Sequence, residues 1–246
     1  MKLSYSPLAK RASNMRSLAD ARYRVVYGVL VHTTGGGVTD ACIYEKMKGK
    51  RRRRKEPLNP LTVAVDIYRA SQNGSNGYKW GGPTYVIPHD GTPYQLAPEE
   101  VFTNHCGGPN RTFYRNGAWI NKVSPITVAK WNAQWGPKFD DPYDLFPSKT
   151  PNRDYVGIEM IPCGDGLGEP RAKGERFTKL QYESLIDLLR DIAARHGFPA
   201  GWQRSSRIVG HEDVDPITRH DKGGGWDPGF LRNAPYFDFN YVRQSL

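Results

Sequence analysis

The sequence predicts an α/β protein with one core. Strand-like and helical segments alternate along the chain, two short β-branched runs are typical of buried strands, and one long segment has the spacing of an amphipathic helix. A chain of 246 residues suits one large domain or a domain with long insertions. Together these observations favour a sheet covered by helices.

The first half of the chain contains a strand, a helix and a hairpin. Residues 23–31 (YRVVYGVLV) are a β-branched run that ends before His32 and a glycine-rich turn. Residues 60–72 place apolar side chains at helical spacing. Residues 84–96 predict a hairpin, because an Asp-Gly turn signal separates two apolar runs.

The second half contains a strand, a helix and a further strand. Residues 107–153 show no clear period and are expected to form a long insertion. Residues 155–161 (YVGIEMI) predict a second buried strand. Residues 178–197 predict a helix with a capping box at its start, an apolar face and a closing glycine. Residues 208–210 predict a short strand that leads into His211.

The chain is strongly basic, with a net charge of +10 from 35 basic and 25 acidic residues. Nucleic acid, anionic membrane and bacterial cell wall all attract such a protein, so charge does not choose between them. Eight of the ten residues 46–55 are basic, and we expect an exposed loop because like charges repel. Within it, the run 50–55 would suit an anionic wall, and no known nucleic-acid-binding motif surrounds it.

Cysteine content and hydropathy indicate the cellular compartment in which the chain is made. The three cysteines, Cys42, Cys106 and Cys163, do not suggest a disulfide framework and are expected to be reduced. The basic N-terminal segment lacks an apolar run of signal-peptide length, and no stretch approaches the ~20 apolar residues of a spanning helix. We therefore expect synthesis in a cytoplasm without a signal peptide.

Two of the six histidines, His32 and His211, directly follow an apolar strand. A hydrolytic zinc site needs three protein ligands and an open fourth position, and the ligands meet if they lie at neighbouring strand ends. These two histidines and a nearby aspartate would form such a triad. Position alone is a weak argument, because a lone histidine at a strand end is more often a hydrogen-bonded structural residue.

Six phrases in one order strengthen this interpretation: VLVHTTGG (29–36), YVIPHDGTPYQL (85–96), NHCGG (104–108), YVGIEM (155–160), IVGHEDVDP (208–216) and WDPGF (226–230). Together they resemble the type-2 N-acetylmuramoyl-L-alanine amidase family, which has the peptidoglycan-recognition-protein fold and includes phage endolysins. The resemblance covers residues 24–246, with insertions at about 40–57 and 107–153, and leaves residues 1–23 as an N-terminal arm. It implies a single domain with a mixed central β-sheet flanked by helices and a zinc site at one end of the sheet.

The resemblance implies a zinc ligand set of His32, His211 and Asp227. His32 matches the family's I-H-x-T strand end, His211 lies in GHED, and Asp227 lies in WDPG. Asp221 competes with Asp227, because the loop 218–225 is longer than in close relatives. Asp227 is preferred because Pro-Gly and the terminal segment follow it as in the family.

The resemblance also implies two catalytic residues. Glu159 falls on the glutamate of the family's I-G-I-E, a general base or water-holding group in one branch; taken alone, it reads as a strand glutamate paired with a basic residue. Many relatives place an oxyanion-stabilising lysine two residues before the aspartate, where this chain has Gly225. Lys222 is chosen for that role over Arg219 and His220 of the longer loop.

Three residues are expected to contact substrate. His105 matches the groove histidine of the family's W-H-A-G, although a core histidine is an equally good interpretation. Thr84 stands where relatives often have histidine. Thr34 lies near the expected zinc site and would contact the peptide stem.

The implied function is zinc-dependent hydrolysis of the N-acetylmuramoyl–L-alanine amide bond in peptidoglycan. The leading interpretation is a monomeric lytic amidase of the endolysin type, which reaches the wall through a holin's membrane lesion. A cytoplasmic amidase that recycles muropeptides would have the same core. A non-catalytic recognition module would have lost a zinc ligand, and the presence of all three ligand types favours an enzyme. A specific nucleic-acid-binding function ranks low.

Overall fold

A six-stranded mixed β-sheet forms the centre of the fold. The computed structural model describes residues 3–11, 22–33, 44–47, 50–53, 59, 62–63, 65–66, 81–106, 114–115, 118–119, 124–139, 142–161, 177–216 and 237–246. Numbered along the chain, the strands lie in the order β1 (Lys10–Arg11), β6 (Tyr94–Gln95), β5 (Tyr85–Ile87), β9 (Tyr155–Met160), β2 (Gly28–Thr33) and β10 (Ile208–Gly210). Strands β5, β9, β2 and β10 run parallel, β6 is antiparallel to β5, and β1 is parallel to β6. The predicted α/β class with a mixed sheet is confirmed.

Two hairpins lie outside this sheet. Strand β3 (Tyr44–Met47) pairs with β4 (Lys50–Arg53), and β7 (Tyr114–Arg115) pairs with β8 (Ala118–Trp119). Residues 46–47 and 50–53 of the predicted loop 46–55 thus have strand backbone, which corrects the prediction for these residues. The register of this first hairpin places Glu45 opposite Arg52 and Lys46 opposite Arg51.

Helices cover the sheet. They are α1 (Pro125–Gln134), α2 (Pro151–Asp154), α3 (Lys179–Arg195), α4 (His211–Val214) and α5 (Phe239–Ser245), with single 3-10 turns at Pro142–Leu145 and Trp202–Arg204. Within the predicted helix 60–72, helical backbone is described at 62–63 and 65–66. Among the described helices, none combines the length and the apolar character needed to cross a membrane.

Helix α3 forms where the sequence predicts it. The Thr178 hydroxyl accepts from the Gln181 backbone N–H at 3.1 Å, and the Gln181 side chain accepts from the Thr178 N–H at 2.9 Å. This is the predicted capping box. After the helix, Gly197 adopts φ 63°, a left-handed conformation that favours glycine.

The two faces of the sheet bury separate apolar clusters. One cluster joins alternate residues of the parallel strands to the apolar face of α3 and to α5: Val29, Val31, Val156, Ile158, Met160, Leu185, Leu188, Leu189, Ile192 and Val242. The other joins the intervening strand residues to α1 and its neighbours: Leu30, Tyr155, Val209, Trp131, Trp135, Leu145 and Phe146. Because both faces are covered, the strands read as continuous apolar runs rather than alternating ones.

Helix α1 lies inside the segment 107–153, which shows no clear period in the sequence and is predicted to be a long insertion. Only Thr127 and Trp131 are buried among its ten residues. Two inward positions, one of them polar, are too few to produce a readable helical period. The helix therefore gives no periodic signal in the sequence, and the insertion itself stays a prediction.

The N-terminal segment contributes an edge strand, β1, to the sheet. Residues Lys10 and Arg11 pair with Tyr94 and Gln95 as strand β1. The Ser6 backbone N–H also donates to the Gln95 side chain at 2.9 Å. The domain boundary after residue 23 stays a prediction, although the described part of the arm lies against the sheet.

Candidate active site

Neighbouring parallel strands bring their carboxyl ends together at one edge of the sheet. His32 of β2 lies opposite Glu159 of β9 in register, and Gly210 at the end of β10 lies opposite Val31. His211 therefore follows β10 at the level of His32. Alternation along the strands puts all three side chains on the face that carries Leu30.

The His32 ring lies between two other histidine rings. Its Nδ1 is 3.0 Å from Nδ1 of His211, and its Nε2 is 2.9 Å from Nδ1 of His105. The His32 plane makes angles of 83° with His105 and 81° with His211. His32 and His211 are buried. The edge of the sheet thus holds two facing imidazole nitrogens with a third histidine behind them.

His105 is attached to the backbone of β9. Its Nε2 lies 3.0 Å from the carbonyl oxygen of Tyr155, which also accepts a hydrogen bond from the Arg24 guanidinium. Burial and then the Arg24 charge lower the pKa of His105, the bond to the carbonyl opposes them, and the net pKa is about 3. The imidazole is therefore neutral at neutral pH and has a single N–H.

Asn152 of α2 holds the backbone that carries His105. Its side-chain oxygen accepts from the N–H groups of His105, at 3.0 Å, and Cys106, at 2.8 Å. Its amide nitrogen donates to the Cys106 carbonyl at 2.7 Å. The sequence analysis missed Asn152, because it lies in a segment without any periodic pattern.

Asp213 fixes the turn that carries His211. Its carboxylate accepts from the Gly210 N–H at 2.8 Å and from the Trp135 indole N–H at 3.2 Å. The Trp131 indole N–H donates to the backbone carbonyl of Asp213 at 3.0 Å. The sequence offered one signal for Asp213, its place two residues after the histidine in GHED, but no reason to assign it this role.

Glu159 completes the described part of the site. It is 9% exposed and lies beside His32 on the adjacent strand, at an interstrand spacing of about 4.8 Å. Glu212, next to His211 along the chain, is fully buried. Glu159 is thus the neighbour of His32 on the adjacent strand, at the edge of the sheet where the His32 and His211 nitrogens face each other.

Comparison with known proteins identifies the family. The family model described as N-acetylmuramoyl-L-alanine amidase matches residues 22–230, most of the chain. The chain belongs to this family. The match includes the strand ends with His32, Glu159 and His211, and it extends past Lys222 and Asp227 in the sequence. A comparison with curated protein sequences gave no match.

Two solved structures from Clostridium intestinale URNW are similar to the chain. The N-acetylmuramoyl-L-alanine amidase LysC has 14% identity, with 97% of each chain covered and a TM-score of 0.49. The endolysine N-acetylmuramoyl-L-alanine amidase LysCS has 15% identity, with 98% of this chain and 96% of that chain covered and a TM-score of 0.48.

Several residues that the amidase resemblance singled out lie outside the described residues. They are Thr34, Lys222 and the two alternative third ligands, Asp221 and Asp227. Within the described ranges, no group of three or more His, Cys, Asp or Glu side chains is arranged to hold a metal ion. The described site thus contains the two predicted histidine ligands, and the amidase zinc set stays a prediction.

Thr84 lies inside the protein. It has no exposed surface, and its hydroxyl accepts from the Arg24 guanidinium at 3.1 Å and lies 3.5 Å from the Thr103 hydroxyl. These contacts give it a structural role beside β5. Its contact with an amidase substrate stays a prediction.

Proposed function

We propose that this chain is a zinc-dependent amidase that hydrolyses the bond between the muramic-acid lactyl group and L-alanine in peptidoglycan. The observation that carries the proposal is the facing pair of His32 and His211 nitrogens beside Glu159. Family membership supports the reaction class. The histidine pair supports a cation at this edge of the sheet.

The donor set fits zinc. With Zn–N bonds of about 2.0–2.1 Å, a tetrahedral ion separates two ligand nitrogens by about 3.3 Å. The Nδ1 atoms of His32 and His211 are 3.0 Å apart, so a shift of a few tenths of an ångström would accommodate the ion. Neutral imidazole is a preferred zinc ligand. Asp227 is the proposed third ligand, and Asp221 is the alternative.

The chain's own residues would handle the proton and the developing charge. When bound, zinc supplies polarisation of the scissile carbonyl and lowers the pKa of water to about 7. Glu159 accepts a proton from the attacking water and gives it to the leaving amine nitrogen of L-alanine. Lys222 stabilises negative charge on the carbonyl oxygen, and Thr34 contacts the peptide stem.

The proposed biological role is lysis of intact cell wall by a monomer. The net charge of +10 supports this role, because a basic enzyme is attracted to an anionic wall. A recycling amidase would instead act on soluble muropeptides. Mass spectrometry of products from intact peptidoglycan, beside those from soluble muropeptide, separates the two roles.

Digestion of purified sacculi tests the bond that is cut. We expect about one zinc per chain, and new N-terminal L-alanine without new reducing sugar ends. A chelator should abolish the release and Zn²⁺ should restore it. New reducing ends would indicate a glycosidase and refute the assignment.

Two variants and a control separate metal binding from proton transfer. Glu159→Gln should retain zinc and lose hydrolysis, whereas His211→Ala should lose both. His89→Ala, a histidine outside the site, should retain both. A metal-free wild-type protein that bound muropeptides without cutting them would identify a recognition module instead.

A further inference from the structure

The contacts of His105 determine which nitrogen of His32 bears the proton. A backbone carbonyl can only accept a hydrogen bond, so Nε2 of His105 must donate to Tyr155. A neutral imidazole has one N–H, so Nδ1 of His105 is an acceptor and takes a hydrogen bond from Nε2 of His32. A neutral His32 then has its lone pair on Nδ1, the atom that faces His211 at 3.0 Å.

We propose that His105 is a positioning residue that fixes the tautomer and ring orientation of His32, so that His32 presents the Nδ1 lone pair to the cation site beside His211. The proposal rests on the proposed function for the identity of the cation. It gives His105 a different task from the predicted contact with substrate, because both of its ring nitrogens already contact protein atoms.

The fold holds His105 in place from two sides. Asn152 binds the backbone N–H of His105, and the ring packs directly against the Cα of Gly157 in β9. A Cβ at position 157 would lie 2.5 Å from Cγ and 2.7 Å from Nδ1 of His105, closer than real Cβ contacts. Gly157 is therefore needed for the ring to reach both Tyr155 and His32.

A lone-pair nitrogen at His32 has a direct consequence for metal binding. Only an unprotonated imidazole nitrogen can ligate a cation, and the partner of the other nitrogen decides which one is unprotonated. Loss of such an orienting partner typically weakens metal affinity by about 10–100-fold. The two hydrogen bonds that join the Tyr155 carbonyl to His105 and His105 to His32 would therefore set the zinc affinity of the site, although His105 itself does not contact the ion.

The tautomer can be measured directly in metal-free wild-type protein. NMR of nitrogen-labelled histidine rings is recorded at mildly alkaline pH, above the usual histidine pKa of about 6.5. We expect His32 to be protonated at Nε2 and unprotonated at Nδ1. The opposite tautomer in the wild type would overturn the proposal. This readout needs no bound zinc and no activity, so it stands even if the proposed function fails.

Variants test the link to metal affinity. His105→Leu removes both ring contacts, and Gly157→Ala displaces the ring; each should bind zinc about 10–100-fold more weakly and lose the single His32 tautomer. His89→Leu is the matched control and should retain wild-type affinity. A folded His105→Leu protein with unchanged zinc affinity and a raised KM for muropeptide would refute the positioning role and favour a substrate contact. Absence of zinc binding in the wild type would instead refute the proposed function.

Discussion

Removal of the charge on Glu99 should destabilise the protein strongly. The Glu99 side chain has no exposed surface, and it accepts hydrogen bonds from the Tyr85 hydroxyl at 2.5 Å, from His196 Nε2 at 2.5 Å and from Arg195 Nη2 at 2.6 Å. The cluster joins the β5–β6 region to the C-terminal end of α3. The substitution Glu99→Gln keeps the shape of the side chain and removes its charge.

The expected cost follows from these contacts. Removing one partner of a buried ion pair typically costs about 3–5 kcal/mol of unfolding free energy. Arg195 is 21% exposed and keeps its bond to Asp191 at 2.8 Å, so water and Asp191 compensate part of the loss. We therefore expect a loss of about 2–3 kcal/mol, which corresponds to a fall in Tm of about 4–12 °C for a domain of this size.

The same substitution should change the pH dependence of stability. Burial would raise the pKa of Glu99, but hydrogen bonds from His196, Arg195 and Tyr85 outweigh it, and the pKa lies below its usual value. A carboxyl whose folded pKa is depressed stabilises the protein above its unfolded pKa of about 4.3, and the contribution is lost as pH falls through the folded pKa. The difference between wild type and Glu99→Gln should therefore shrink in acid.

Denaturant unfolding at neutral pH and in a descending pH series measures both effects. Glu183→Gln is the matched control, because Glu183 forms an exposed pair with Lys179 at 3.4 Å and should change stability by less than about 0.5 kcal/mol. An unchanged midpoint for Glu99→Gln at neutral pH, or a stability difference that stays constant in acid, would refute the reasoning.

Two further substitutions test the fold. Leu189→Ala removes a fully buried side chain from the face of α3 that covers the sheet. Denaturant unfolding should show that the free energy of unfolding falls by about 2–5 kcal/mol. Leu180→Ala is the control and should lower it by less than about 0.5 kcal/mol, because Leu180 is exposed. Thr178→Ala removes the capping hydroxyl of α3 and should cost about 1 kcal/mol, whereas Thr178→Ser keeps the hydroxyl and should cost clearly less. Equal stability of the two Thr178 variants would contradict the capping argument.

The sequence predicted the parts of the site that lie on regular strands. His32 and His211 follow β-branched runs, and such runs can be recognised because parallel strands are buried on both faces. Their meeting follows from the rule that the carboxyl ends of neighbouring parallel strands share one edge. The register between His32 and Glu159 could not be read from the sequence, since no local pattern encodes pairing between distant strands.

The support of the site was harder to predict, because it comes from loops and short helices. The His105 side chain reaches His32 only because Asn152 holds its backbone and Gly157 leaves room for its ring. His105 and Asn152 belong to no repeating apolar pattern. Gly157 lies in the predicted strand 155–161, but no feature of that strand's sequence indicates that a histidine ring packs against it. Helix α1 was missed for a similar reason: its contribution is concentrated in Trp131, a single large side chain, rather than in a stripe.

The wide separation of His32 and His211 along the chain has a consequence for synthesis. The two residues are 179 positions apart, and strand β10, which carries the second, pairs directly with the strand that carries the first. At translation rates of about 5–20 residues per second, about 10–35 s pass between the two histidines leaving the ribosome. During that interval the growing polypeptide lacks the facing pair of imidazole rings, so the candidate site forms only after strand β10 has been synthesised.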